Sequence, residues 1–194
     1  EGSLSAGMSV AVTTHLAYCA ACRQVTEEQQ AQLATRWLSA EDAGQLPDPD
    51  RFSELVDRVT SSPQQTEMPA APRPNKPVEL KLGRCKAVLP RALARIAEQG
   101  VEWRSLGRGI KTASLRLDRD QNCDFMYMEP GSKSIEHSHH GTEAMVVLDG
   151  SFSAELGEYG RGDFVWRDGQ HTPPPQTREG CIRFAVHDQT LYFR

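Results

Sequence analysis

The spacing of apolar and polar positions changes character twice along the chain. From Gly7 to about Ser62 the pattern is helical. Met8 to Cys22 contains no proline, and Thr26 to Leu38 is rich in Glu, Gln, Ala and Leu, all good helix formers. Gly44, Pro47 and Pro49 interrupt the pattern between Glu41 and Asp50. Asp50 is then placed to cap a further helix, with Phe52, Leu55, Val56 and Val59 falling on one face. From Ser61 to Pro77 the chain carries Pro63, Pro69, Pro72, Pro74 and Pro77 with Gln, Ser and Ala between them, the composition of an extended linker. Leu89 to Gln99 predicts one short helix, with Leu93, Ile96 and Ala97 as its apolar face and Gly100 as its stop.

From Val101 the period becomes two. Short runs at Ser114–Leu117, Phe125–Met128, Ala144–Leu148, Phe164–Trp166, Ile182–Val186 and Leu191–Phe193 are separated by Gly, Asp, Asn or Pro turns. Many short strands with frequent turn signals predict an antiparallel barrel or sandwich. The expected fold class is α + β with two domains. A small helical module spans 1–62, a Pro-rich linker 63–84, and a short helix plus β-barrel 85–194.

Composition narrows the function classes. Charged residues make up 25% of the 194 and the net charge is −4, so there is no basic footprint for direct nucleic-acid binding. No apolar run, Ala144 to Leu148 among them, approaches the roughly 20 residues that span a bilayer. Cys19, Cys22, Cys85, Cys123 and Cys181 form an odd, scattered set, which fits a reducing cytoplasm better than a disulfide framework. The chain opens at Glu1 without an initiator Met, and an upstream segment is expected.

The strongest chemical signal runs from Gly131 to Gly150. Residues two apart on a strand project to one face, so His137 and His139 can aim two imidazoles at one point inside a barrel. His140-Gly141-Thr142 reads as a turn that brings in Glu143 as a carboxylate ligand from the next strand. Two His and a carboxylate suit Fe(II), Mn, Ni or Zn. His171, after the turn signal Asp168-Gly169, is the candidate fourth ligand. His140 would point to the opposite face, and the competing reading is a polar hairpin with surface histidines.

This segment resembles the first motif of the cupin superfamily, G-x5-H-x-H-x3,4-E-x6-G, at every position from Gly131 to Gly150. The second motif is matched at Gly162 and His171, but its middle is shortened, its Pro is replaced by Asp168 and its final Asn is absent. The resemblance implies an antiparallel cupin β-barrel holding one metal ion through His137, His139, Glu143 and His171.

A second constellation is His15-Leu-Ala-Tyr-Cys19-Ala-Ala-Cys22. At i, i+4 and i+7 these side chains share one face of a continuous helix. One His and two thiolates make a zinc donor set short of one ligand. A redox Cys-x-x-Cys and a pair of buried small residues are the alternatives. H-x3-C-x2-C followed by a helix resembles the zinc-binding domain of bacterial anti-sigma factors, where a further His on an upstream helix completes the site. No His precedes His15 here.

A short zinc anti-sigma domain, a Pro-rich linker and one cupin together resemble the ChrR family of anti-sigma factors over nearly the whole chain. Trp103 to Ile110 and His171-Thr172-Pro173 also look like that family. The resemblance implies that an extracytoplasmic-function sigma factor is held inactive by the helical domain alone. Release under singlet oxygen or related oxidative stress would need the cupin and its own zinc. Cys181 is a second candidate for the signal, although Arg183 stands where such proteins can place another Cys. The rival classes are a metal-dependent cupin enzyme of dioxygenase, isomerase or decarboxylase type, with Tyr127, Glu129, Glu136 and Arg183 near its pocket, and a small-molecule sensor.

Overall fold

Ser5 starts the first helix, because its hydroxyl accepts a hydrogen bond from the Met8 N–H at 3.2 Å. In this computed structural model the described residues are 4–39, 49–62, 77–117, 121–134, 137–138, 141–168, 174–187 and 192–193. Helix α1 spans Ala6–Tyr18 and α2 spans Ala20–Ser39. The single helix expected through Cys22 is therefore two. Cys19 leaves the helix with φ −97° and ψ 103°, while its N–H still bonds the His15 carbonyl at 2.8 Å. Helix α3 spans Pro49–Ser61. Asp50 lies in its first turn rather than capping it. Pro49 holds the opening position, where its missing N–H costs nothing, and the Asp50 charge favours the helix N-terminus.

The β elements are β1 (Glu79–Leu82), β2 (Cys85–Val88), β3 (Arg104–Gly107), β4 (Ile110–Leu115), β5 (Asn122–Met128), β6 (His137–Ser138), β7 (Thr142–Ala154), β8 (Gly157–Gly160), β9 (Phe164–Asp168), β10 (Cys181–His187) and β11 (Tyr192–Phe193). The short helix α4 (Arg91–Ala97) follows β2. The main sheet runs β3-β4-β5-β10-β7-β8, with β9 also on β7. Strands β1 and β2 form a hairpin, and β11 pairs with β6. Every pairing is antiparallel. Strand β1 thus begins inside the 63–84 stretch that reads as linker.

The chain divides into two compact units, Glu1–Ala20 with Lys76–Arg194, and Ala21–Asn75. Within the first unit the period-two pattern separates two apolar layers. Ile182, Phe184 and Val186 of β10 join Leu80, Leu93 and Ala11, under the hairpin and the helices. Cys181 and Ala185 join Met126, Met145, Val147 and Phe152, enclosed between the strands.

Sequence boundaries place α1 with the helices that follow it, yet here it shares a unit with the strands. Its buried face is Gly7, Ala11 and Thr14, small residues one and two turns apart. They let the helix backbone come close to the sheet. A Cβ on Gly7 would stand 2.7 Å from Cys123 Sγ and 2.9 Å from Val186 Cγ1. The Ser5 hydroxyl also donates to the Gln121 side-chain oxygen.

Gly150, the last glycine of the cupin motif, has φ +75°, and a Cβ there would collide with the Gly180 carbonyl oxygen. Two penalties coincide, a left-handed backbone and a backbone collision. Gly150→Ala is expected to cost about 3 kcal/mol and lower Tm by roughly 5–10 °C in a thermal melt. An unchanged Tm would mean that β7 and β10 can separate there freely.

Candidate metal centres

His15 lies in the last turn of α1, Cys19 at the break and Cys22 in the first turn of α2. One donor atom from each residue lies within 4.8 Å of the other two. The convergence expected along one helix face is thus achieved with an extended residue at its middle. Two soft thiolates and an imidazole fit zinc, a donor set one short of the usual four. The His15 ring is fixed by its surroundings. Its Nδ1 is 2.7 Å from the Gly162 carbonyl oxygen, in the turn between β8 and β9. Phe164 meets the ring edge-on at 5.8 Å. A carbonyl oxygen only accepts, so Nδ1 carries the proton and donates it. The lone pair of the neutral ring is then on Nε2.

In the barrel, Glu143 is the second residue of β7 and only 2% exposed. The register sets it opposite His187 of β10 and Arg167 of β9. His187 Nδ1 is 3.6 Å from Glu143 Oε1, and His187 Nε2 is 3.0 Å from Asp124 Oδ2. Burial pulls the His187 pKa down, but the hydrogen bond to Asp124 and the charges of Glu143 and Asp124 raise it overall. The charges of His187 and Arg167 partly offset the burial of the Glu143 carboxylate. His187 thus stands between two carboxylates, hydrogen-bonded to Asp124 and within ion-pair distance of Glu143.

Sequence reasoning passed over His187 and Asp124. The available signal was His187 at period two from Cys181, Arg183 and Ala185. His137 is placed on β6, its backbone opposite Phe193 of β11. Its side chain, with Glu136, His139, His140 and His171, lies outside the described residues.

The other sequence candidates separate clearly. Tyr127 packs with Leu80 and Cys85 in the layer under the hairpin, away from the layer enclosed by the strands. Glu129 is exposed. Arg183 is buried with its guanidinium 5.4 Å above the Phe152 ring, and its Nη2 donates to Met126 Sδ at 2.8 Å. Burial pushes the Cys181 thiol up to about 11, against the smaller opposing effect of Arg183. Burial raises the Cys85 thiol as well.

Thiolate is the reactive form, so Cys181 is a poor first target for an oxidant. At pH 8, alkylation of Cys181 in the native protein should be about 100-fold or more slower than in the unfolded chain. Mass spectrometry of labelled peptides reads this directly. Equal labelling in both states would restore the thiol route.

Residues 92–191 match the ChrR Cupin-like domain family. Over 196 residues the chain is 31% identical to the Anti-sigma-E factor ChrR of Cereibacter sphaeroides, covering 99% of this chain and 85% of that protein. It is also similar to a solved structure, that of Rhodobacter sphaeroides SigE in complex with the anti-sigma ChrR. That likeness covers 95% of this chain and 90% of the other, with a TM-score of 0.69 and 25% identity. The cupin fold read from Gly131 to Gly150 is the observed fold. Among the described residues no helix is long and apolar enough to cross a membrane.

Proposed function

Because the chain belongs to the ChrR family of anti-sigma factors, we propose that it captures an extracytoplasmic-function sigma factor and keeps it from RNA polymerase. The observation that carries this reading is an uncovered apolar stripe on α3. Phe52, Leu55, Val56 and Val59 follow the helical repeat and are 41% to 63% exposed. On α2, Val25, Leu33 and Trp37 are exposed as well. Such stripes match a helix-on-helix partner, and burying them would cover sigma surfaces that polymerase otherwise occupies. The solved relative is a complex of this kind, ChrR with SigE. A family of regulators also takes precedence over the cupin-enzyme reading.

The experiment is a titration of the zinc-loaded chain with the sigma factor. The double substitution Leu55→Asp, Val59→Asp should weaken capture about 100-fold or more, with helix content unchanged. Wild-type capture by this variant would sink the reading.

His15, Cys19 and Cys22 would hold zinc at the helices. Glu143, with His137, His139 and His171, would hold the barrel metal, for which zinc is the first choice and Fe, Mn or Ni the alternatives. A bound ion would tie the end of α1 to the start of α2 at the helices, and the segment from His137 to Glu143 to His171 in the barrel. The barrel centre serves release under singlet-oxygen-type stress in this reading. Support comes from the burial of Glu143 and from the inaccessibility of the Cys181 thiol.

A further inference from the structure

We propose that the barrel itself supplies the supporting shell of the helical zinc site, through the Gly162 carbonyl that holds His15. This rests on the metal reading of His15, Cys19 and Cys22, and not on the identity of the captured partner.

Three observations converge on the turn between β8 and β9, and all lie within one compact unit. The first is the 2.7 Å hydrogen bond from His15 Nδ1 to the Gly162 oxygen. A metal-ligating imidazole needs such a partner on its other nitrogen, to fix its tautomer and orientation. The barrel provides it with a backbone atom. The second is the fit of Tyr18, one turn beyond His15. A Cβ on Gly162 would stand 2.8 Å from Tyr18 Cβ, so only glycine lets α1 approach this closely. The Arg161 guanidinium sits 5.0 Å from the Tyr18 ring centre, and the Tyr18 hydroxyl donates to the Val88 carbonyl at 3.2 Å.

The third observation is the anchoring of the turn. Gly162 N–H donates to the Val147 carbonyl at 2.8 Å, and Val147 N–H donates to the Asp163 carbonyl at 3.1 Å. Val147 lies on β7, the strand that carries Glu143. The His15 partner is therefore tied by backbone bonds to the strand bearing the barrel carboxylate. Zinc retention at the helices then depends on the barrel's turn being in place, and a movement of β7 reaches His15 through two hydrogen bonds.

The test uses the full zinc-loaded chain and measures release of the helical zinc into a chromogenic chelator. Tyr18→Ala and Gly162→Ala each loosen the seat without removing a metal ligand. Both are expected to release zinc roughly tenfold faster or more. Metal content of the barrel should be unchanged, showing that the β8–β9 region has not unfolded. Tyr18→Phe keeps the ring over which Arg161 sits but loses the bond to Val88, so its release rate should lie between wild type and Tyr18→Ala. Long-range proton–nitrogen spectra of the wild type should show Nδ1 of His15 protonated and Nε2 bound to zinc.

The proposal is overturned if Tyr18→Ala and Gly162→Ala release zinc at the wild-type rate, or if zinc is found on Nδ1. A wild-type chain that holds no zinc at this site overturns the metal reading together with the proposal. A sigma factor that fails to bind a zinc-loaded wild type overturns the proposed function, while slower release in the wild type than in these variants still supports the barrel's role.

Discussion

A Cys19→Ala or Cys22→Ala chain is expected to lose its helical zinc, unfold α2 and α3, and release its sigma factor. The size of the effect follows from how little else holds these helices. Among the residues from 21 to 62 whose side chains are described, not one is buried, and every described residue of the hydrophobic core except Ala11 lies at Leu80 or beyond. A unit of this size is marginal even with a core. Structural zinc in small modules contributes on the order of 10 kcal/mol, and removing one of two thiolates forfeits most of it. Circular dichroism should show a loss of helix, and metal analysis should show one equivalent of zinc missing. Capture of the sigma factor should fall by about two orders of magnitude or more. Capture at wild-type strength without that zinc would show that the partner, not the metal, shapes the helices.

The second large effect is expected in the barrel. Glu143→Ala should remove the barrel metal completely and leave the helical zinc in place. His137→Ala should do the same. Glu143→Ala also leaves His187 and Asp124 facing each other in a buried site with one fewer carboxylate, a cost of about 1–3 kcal/mol. The variant should still capture the sigma factor. A reporter driven by that sigma factor should stay silent in the dark and fail to rise under singlet oxygen exposure. Glu143→Gln preserves the shape and tests the charge alone. If both Ala variants respond as wild type does, the barrel metal is structural and the signal enters elsewhere. Equal loss of metal from both sites would show that the ligands have been divided wrongly.

The sequence by itself determined what short-range spacing can encode. His15, Cys19 and Cys22 lie within eight residues, so any compact local path brings their donors together. The glycine, His and Glu spacing from Gly131 to Gly150 identified the cupin fold without knowledge of the rest of the chain. The switch to period two at Val101 announced the barrel, and strands β5, β7, β9 and β10 extend the expected runs.

Tertiary structure decided which faces meet. The β1–β2 hairpin alternates Leu80, Cys85 and Ala87 inward with Lys81 and Lys86 outward, but over four residues a strand the period is too short to stand out beside the Pro-rich stretch, and it packs in the layer that holds Tyr127. Gly7, Ala11 and Thr14 carry too little apolar area to register as a helix face. Gly7 matters because Cys123 and Val186, more than a hundred residues away, lie where a side chain on it would stand. Asp124 and His187 are 63 positions apart, and only the β5–β10–β7 pairing places them behind Glu143. The break at Cys19 likewise follows from no local helix propensity. Periodicity reports what one element prefers, whereas the partner of His15 or Glu143 is fixed by contacts between elements, and those become available only when the barrel closes.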